Sequence, residues 1–175
     1  FVLLFIIFFG IAIKIEDGGP IFYNAKRVGR YGKAFTMFKL RSMKVNAPDI
    51  RLKDGSTYNS EDDPRVTKVG KIIRKFSIDE FPQFINVLIG DMSIVGPRPD
   101  PLDWLEKYPD DIKNFLNVKP GITGYSQAYF RNSVDGYKKM KNDSFYEKNY
   151  SFLLDIKIFV KTVLSVIRSE NMYKE

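Results

Sequence analysis

The segment Arg74-Lys75-Phe76-Ser77-Ile78-Asp79-Glu80-Phe81-Pro82-Gln83 sets two adjacent carboxylates just downstream of two cations, in a chain with no His and no Cys. Those absences exclude Ser–His and Cys–His triads, histidine general bases, thiolate zinc sites and disulfides. Chemistry must run on carboxylates, Lys, Arg, Tyr, hydroxyls or a hard metal held by oxygen. A carboxylate can act as an oxygen nucleophile by forming an acyl phosphate, and Asp79 is the candidate. Glu80 beside it could hold Mg²⁺, whose charge would neutralise diphosphate oxygens and assist departure of a nucleotide. Two carboxylates repel a diphosphate unless cations intervene, and Arg74 and Lys75 are close in sequence. The same residues also fit a purely structural role. Ser77-x-x-Glu80 matches a capping box, and acidic residues in a first turn suit the helix dipole. Pro82 complicates a cap at Ser77, since a helix beginning at Asp79 holds that proline more safely in its first turn.

A second cluster is Gly90-Asp91-Met92-Ser93-Ile94-Val95-Gly96-Pro97-Arg98-Pro99. Two prolines restrict the backbone on both sides of Arg98, whose planar fork can bind phosphate bidentately; the alternative is a solvated arginine in a loop. A third, Lys119-Pro120-Gly121-Ile122-Thr123-Gly124-Tyr125-Ser126-Gln127, precedes Arg131-Asn132. Its N–H groups could form an anion-binding nest, and a plain turn fits as well. No G-x-x-x-x-G-K-[ST] occurs and no G-x-G-x-x-G opens a helix after a strand, so a P-loop kinase or dinucleotide enzyme is unsupported.

The elements that must position these groups begin with Phe1 to Ile13, apolar except for Gly10 and ending at Lys14, Glu16 and Asp17. This run is shorter than the roughly 20 residues that cross a bilayer. It fits a core helix, part of a longer membrane segment, or a helix that enters the membrane and returns. After Asp17-Gly18-Gly19-Pro20, alternation and aromatic content predict two short strands around Ile21–Tyr23 and Phe35–Arg41, joined through the Gly29/Gly32 turn. Lys39 and Arg41 fall on one face of that hairpin. Asn46 to Asp63 reads as a surface loop. Helices are predicted at about Val66–Arg74, about Glu80–Leu88 and around Leu102–Asn117, with a loop from Gln127 to Gly136. A closing helix over roughly Ser151 to Ile167 carries Phe152, Ile156, Phe159, Val163 and Val166 on one side, facing either core or membrane surface.

At 175 residues the chain fits one domain, and its 44% hydrophobic and 15% aromatic content is that of a folded one. The net charge of +7 favours polyanionic partners: nucleic acid, anionic lipid or phosphorylated substrates. No recognisable nucleic-acid motif accompanies that charge, so nucleic acid is not expected.

Taken together, Glu16–Tyr23, Phe38–Met43, Asp63–Gly70, Ser77–Gln83, Asp91–Pro99 and Lys119–Gly124 closely resemble, in order, the motifs of the bacterial sugar transferases, the monotopic phosphoglycosyl transferases. The resemblance implies an α+β, predominantly helical fold with a small β-hairpin, on the cytoplasmic face of the bacterial inner membrane. In that family the membrane helix breaks at a Ser-Pro pair, which residues 1–13 lack. Residues 1–15 would thus be the returning half of a re-entrant helix and residues 16–175 the catalytic domain. The implied reaction moves a sugar-1-phosphate from a UDP-sugar to polyprenyl (undecaprenyl) phosphate, initiating a surface glycan. Asp79 would form the phosphosugar-enzyme intermediate, releasing UMP, and Glu80 would bind Mg²⁺. By the same resemblance Arg74 and Arg98 would orient the acidic pair or grip phosphate and Arg131 would lie near the nucleotide. Lys39, Arg41 and Asp143 would complete the site. Phe130 stands where many members show Gly, which would bear on donor preference. The rival reading is a non-catalytic membrane-associated scaffold.

Overall fold

The computed structural model describes residues 1–51, 58, 60, 62–130 and 134–168. It is α+β, with six α-helices and two two-stranded sheets among these residues. Helix α1 (Val2–Asp17) ends at Gly18, whose φ of 71° supplies the left-handed C-cap, its N–H donating to Lys14 O at 3.0 Å. It buries only Ile6, Gly10 and Ile13, one line of the helix, against Leu40, Ile73 and Ile78. Leu3, Leu4, Ile7, Phe8, Ile11 and Ile15 remain exposed. No helix among the described residues is long and apolar enough to cross a membrane.

The predicted hairpin forms from β1 (Ala25–Val28) and β2 (Ala34–Met37), antiparallel with Arg27 opposite Phe35 and Ala25 opposite Met37. The same register continues outward to a bridge between Phe22 and Leu40, so both predicted strand segments take part. The ladder is interrupted at Phe38, whose N–H donates to Asn86 Oδ1 at 2.9 Å.

Helix α2 (Lys68–Lys75) is capped by Thr67, whose hydroxyl accepts from Gly70 N at 2.9 Å. Glu16 at the end of α1 accepts from Lys68 N and Val69 N, at 2.6 and 3.1 Å, covering further free donors of that helix start. The expected helix from Glu80 begins later, as α3 (Gln83–Leu88), because residues Ile78–Glu80 form a separate 3-10 turn.

A parallel pair absent from the sequence expectations, β3 (Ser93–Val95) and β4 (Gly121–Thr123), joins the second and third clusters. The Gly121–Thr123 stretch is therefore a strand, which corrects the nest and turn readings. Gly121 N donates to Pro97 O at 2.9 Å and Gly96 N to Thr123 O at 2.9 Å. A Cβ on Gly121 would overlap the Gly96 backbone, so glycine is needed for this close approach.

The expected helix over Leu102–Asn117 is instead two 3-10 segments, Leu102–Lys107 and Asp110–Asn117. Pro109 pushes Tyr108 into extended backbone (φ −71°, ψ 125°), which breaks the run. Part of the expected Gln127–Gly136 loop is helical, as α4 (Tyr125–Phe130). Helix α5 (Gly136–Asn149) follows, with Asp135 accepting from Lys138 N at 2.7 Å as its cap.

Ser151 caps α6 (Phe152–Ile167), accepting from Leu154 N. Its inward line is Ile158 and Ser165, with Leu154 and Thr162 half-buried. Thr162 and Thr123 share a hydroxyl hydrogen bond of 2.7 Å. The predicted stripe of Phe152, Ile156, Phe159 and Val163 is exposed, so the more apolar side faces outward.

Candidate active site

Asp79 sits in the 3-10 turn between α2 and α3. The turn is made by Ser77, a non-glycine residue at φ 54°, and closed by Glu80 N donating to Ser77 O at 3.2 Å. The Ser77 side chain caps nothing, so the capping-box reading is corrected: left-handed backbone at Ser77 replaces the extended N-cap conformation that motif requires. The apolar residues around the turn explain its position. Ile78 packs under α1 with Leu40 and Ile73, which turns the Asp79 carboxyl inward until the residue is 3% exposed. Leu40 N donates to the Asp79 carbonyl at 2.9 Å, fixing the strand extension against the turn.

Two cationic side chains meet Asp79 or its neighbour. Lys39 Nζ lies 2.9 Å from Asp79 Oδ2 and 3.6 Å from Glu80 Oε1. Arg98 donates to both Glu80 oxygens, Nη2 to Oε1 at 2.6 Å and Nη1 to Oε2 at 3.3 Å. Burial pushes the Asp79 carboxyl above the usual carboxylate range; Lys39 opposes the rise and the Glu80 charge adds to it. Burial also works against ionised Glu80, yet Arg98 and then Lys39 outweigh it and hold Glu80 down at about 2. Opposite displacements on neighbouring carboxylates are the pattern by which two acids of one site take up different tasks.

Arg74, in the last turn of α2, donates from Nε to Ser42 Oγ at 3.0 Å, while its Nη1 is buried with no hydrogen-bond partner. Its charge also lowers the Asp79 pKa. Arg41 stands apart. Its guanidinium binds Asp17 through Nη1 at 2.7 Å and Nη2 at 2.5 Å, with Nε on Pro20 O at 2.6 Å. That grip holds Asp17 down at about 2. The face shared with Lys39 in the hairpin pattern does not bring the two cations to one partner.

Asp143 also lies outside the Asp79–Glu80 group, behind the Arg98 segment. Lys139 Nζ contacts both oxygens of Asp100 (2.9 and 2.8 Å), Asp143 Oδ2 at 3.4 Å and the Arg98 carbonyl at 3.4 Å. Tyr108 donates its hydroxyl to Asp100 Oδ2 at 3.0 Å. Burial pushes Asp143 up to about 6 despite Lys139. Asp100, Tyr108 and Lys139 went unnoticed in the sequence. The available signal was the Lys139–Asp143 spacing, which puts both on one helix face. Arg131 lies outside the described residues.

Among the described residues no group of three Asp, Glu, His or Cys gathers into a metal cage. Glu80, ionised and 17% exposed at its side chain, fits a hard ion that takes one carboxylate and completes its shell from phosphate oxygens and water.

The sequence profile of the bacterial sugar transferases matches residues 1–169, which takes in every member of this cluster. The chain belongs to the bacterial sugar transferase family. It is 44% identical over 169 residues to the undecaprenyl-phosphate galactose phosphotransferase of Salmonella typhimurium, covering 90% of this chain and 36% of that protein. It is 47% identical over 161 residues to the galactosyl transferase CpsE of Streptococcus agalactiae, covering 87% and 36%. The uncharacterized sugar transferase EpsL of Bacillus subtilis is 44% identical over 168 residues, covering 95% of this chain and 80% of EpsL. This bacterial sugar transferase sequence thus spans about a third of two of these relatives and most of the third.

Proposed function

We propose that the protein transfers a sugar-1-phosphate from a UDP-sugar to undecaprenyl phosphate through a covalent intermediate on Asp79, in the first step of building a surface glycan. The observation that carries this reading is the buried Asp79 carboxylate held by Lys39 beside the Glu80–Arg98 pair, in a chain without His or Cys. An Asp79 oxygen attacks the phosphorus bearing the sugar. The bond from that phosphorus to the bridging oxygen breaks, and UMP departs with the oxygen and its electron pair. An oxygen of undecaprenyl phosphate then attacks the same phosphorus, the bond to Asp79 breaks, and the carboxylate is restored.

Lys39 opposes the rise that burial imposes on Asp79, and Arg98 orients Glu80 while its charge faces the phosphate oxygens. Arg74 offers its unpartnered Nη1 as a further donor. Glu80 would hold Mg²⁺, which supplies positive charge against the diphosphate oxygens when bound. The exposed apolar sides of α1 and α6 support seating on the cytoplasmic face of the inner membrane, α1 inserted and α6 along the surface. There an acceptor's lipid tail and phosphate reach the site together.

The test is intact-protein mass spectrometry of the full-length protein in detergent with Mg²⁺ and a panel of UDP-sugars, without acceptor. A mass increase of one sugar phosphate with the parent, absent in Asp79→Asn, is the expected result and names the donor. Equal adduct or equal turnover in Asp79→Asn overturns Asp79 as nucleophile.

A further inference from the structure

Arg27 occupies the centre of β1, opposite Phe35. The register runs unchanged to the Phe22–Leu40 bridge, so alternation sets Arg27, Phe35, Met37 and Lys39 on one face of the hairpin. On its other edge β1 lies along the segment that carries Arg98: Arg27 bridges Pro101, and Val28 N donates to Asp100 O at 2.9 Å. Arg27 is thus held between the Lys39 strand and the Arg98 turn by backbone on both sides.

Its guanidinium is half-buried and has no hydrogen bond, ion pair or ring contact among the described residues. The two cations whose charges reach it are partnered elsewhere, Arg98 by Glu80 and Arg51 by Asp49. Burial and then the Arg98 charge lower the Arg27 pKa, which marks an environment that works against its charge. Arginine stays protonated even so. An unpaired, partly desolvated cation beside a second one costs stability, and Tyr23 and Asp100, which act in the other direction, do so without a direct contact and more weakly than burial and Arg98. An arginine retained for the packing of its stem alone needs no second cation near its head. A phosphate between the two guanidiniums removes both penalties.

Building on the transferase reading above, we propose that Arg27 is a substrate-binding residue whose guanidinium, with Arg98, grips a phosphate group of the reactants. Two sources share that chemistry: the phosphate that leaves with the nucleotide, and the phosphate of the polyprenyl acceptor.

The experiment uses the full-length protein, the UDP-sugar that labels Asp79, and undecaprenyl phosphate, with Arg27→Gln and Arg27→Lys alongside the parent. Arg27→Gln is expected to raise the KM for one phosphate substrate by about tenfold or more at a thermal midpoint no lower than the parent's, and Arg27→Lys to recover part of the loss. A rise for the donor, with weaker product inhibition by UMP, assigns the leaving phosphate. A rise for undecaprenyl phosphate with adduct formation from the donor intact assigns the acceptor. Should Arg27→Gln fail to fold, Arg27→Lys carries the test, since it keeps the charge but loses the fork and is expected to show a smaller rise in the same KM. Both KM values within about twofold of the parent in a folded variant, or a fall confined to kcat, overturn the proposal. Failure of the transferase reading looks different: the parent yields no product, or Asp79→Asn retains turnover.

Discussion

The Lys39 ammonium lies 2.9 Å from the Asp79 carboxylate, although burial pushes that carboxyl up and only Lys39, with help from Arg74, pulls it back. Removing the cation as Lys39→Met leaves burial and the Glu80 charge unopposed by their main counterweight. Turnover is expected to fall by about 100-fold or more, in line with loss of a charge at a reacting group. On the proposed mechanism the acidic limb of the pH–rate profile should move to higher pH, because there the ionised form of Asp79 is the attacking one. An unshifted limb would mean that Lys39 does not set the Asp79 charge state.

Arg98 binds Glu80 through both nitrogens, a geometry lysine cannot copy. Arg98→Lys is expected to lose roughly 10- to 100-fold in kcat/KM for the donor while folding normally. Steady-state kinetics with thermal melts would decide it. A loss matched by a lower melting temperature would assign Arg98 to structure instead.

Asp143 ionises near 3.8 when unfolded and at about 6 in the fold, so folding favours its neutral form. The resulting penalty is absent below about pH 4, grows as pH rises to about 6 and is constant above, reaching on the order of 3 kcal/mol. Asp143→Asn mimics the neutral form. Its stability relative to the parent should therefore improve between pH 4 and 6, measured as the difference between urea midpoints at each pH. Lys139 and Asp100 act on the Asp143 charge and not on a neutral amide, so their opposing effects are contained in that difference. A flat difference would show that Lys139 offsets burial fully.

Asn86 is fully buried, accepts from Phe38 N at 2.9 Å and donates to Thr36 O at 2.8 Å, binding α3 to the end of β2. Asn86→Ala strands both backbone groups. It is expected to cost about 2 to 4 kcal/mol by urea denaturation, more than an exposed substitution. Activity should fall with it, since Lys39 follows Phe38 directly.

Alternation was enough to read the hairpin but not its first strand: Ala25–Val28 faces Ala34–Met37, and Ile21–Tyr23 joins residues 39–41 only through the Phe22–Leu40 bridge and two backbone hydrogen bonds. It was not enough to separate Lys39 from Arg41, because Asp17, at the end of a different helix, captures Arg41. The turn at Ser77 escaped for a related reason. Ser-x-x-Glu describes a cap only if the serine is extended, and burial of Ile78 together with Arg98's hold on Glu80 favours another backbone. Strands β3 and β4 have three residues each, too few to show a period, and their pairing depends on glycines approaching across 25 intervening residues between Val95 and Gly121. Helix α5 is strongly polar, and its inward residues include Asp143 and Ser144, so no apolar stripe announced it. That Asp79, Glu80 and Arg98 come together in one cluster agrees with the segments the sequence singled out, where adjacent carboxylates follow cations and prolines flank the arginine.

The bond from Leu40 N to the Asp79 carbonyl makes the Lys39 strand and the Asp79 turn a single exchangeable module. In a chimera between relatives, importing residues 38–40 without 77–80 would mismatch the spacing that sets the carboxylate's charge. Importing both, with Asn86 to anchor Phe38, would carry Asp79 and the groups that tune it together. Donor preference could then be re-engineered through other segments while this module is left alone.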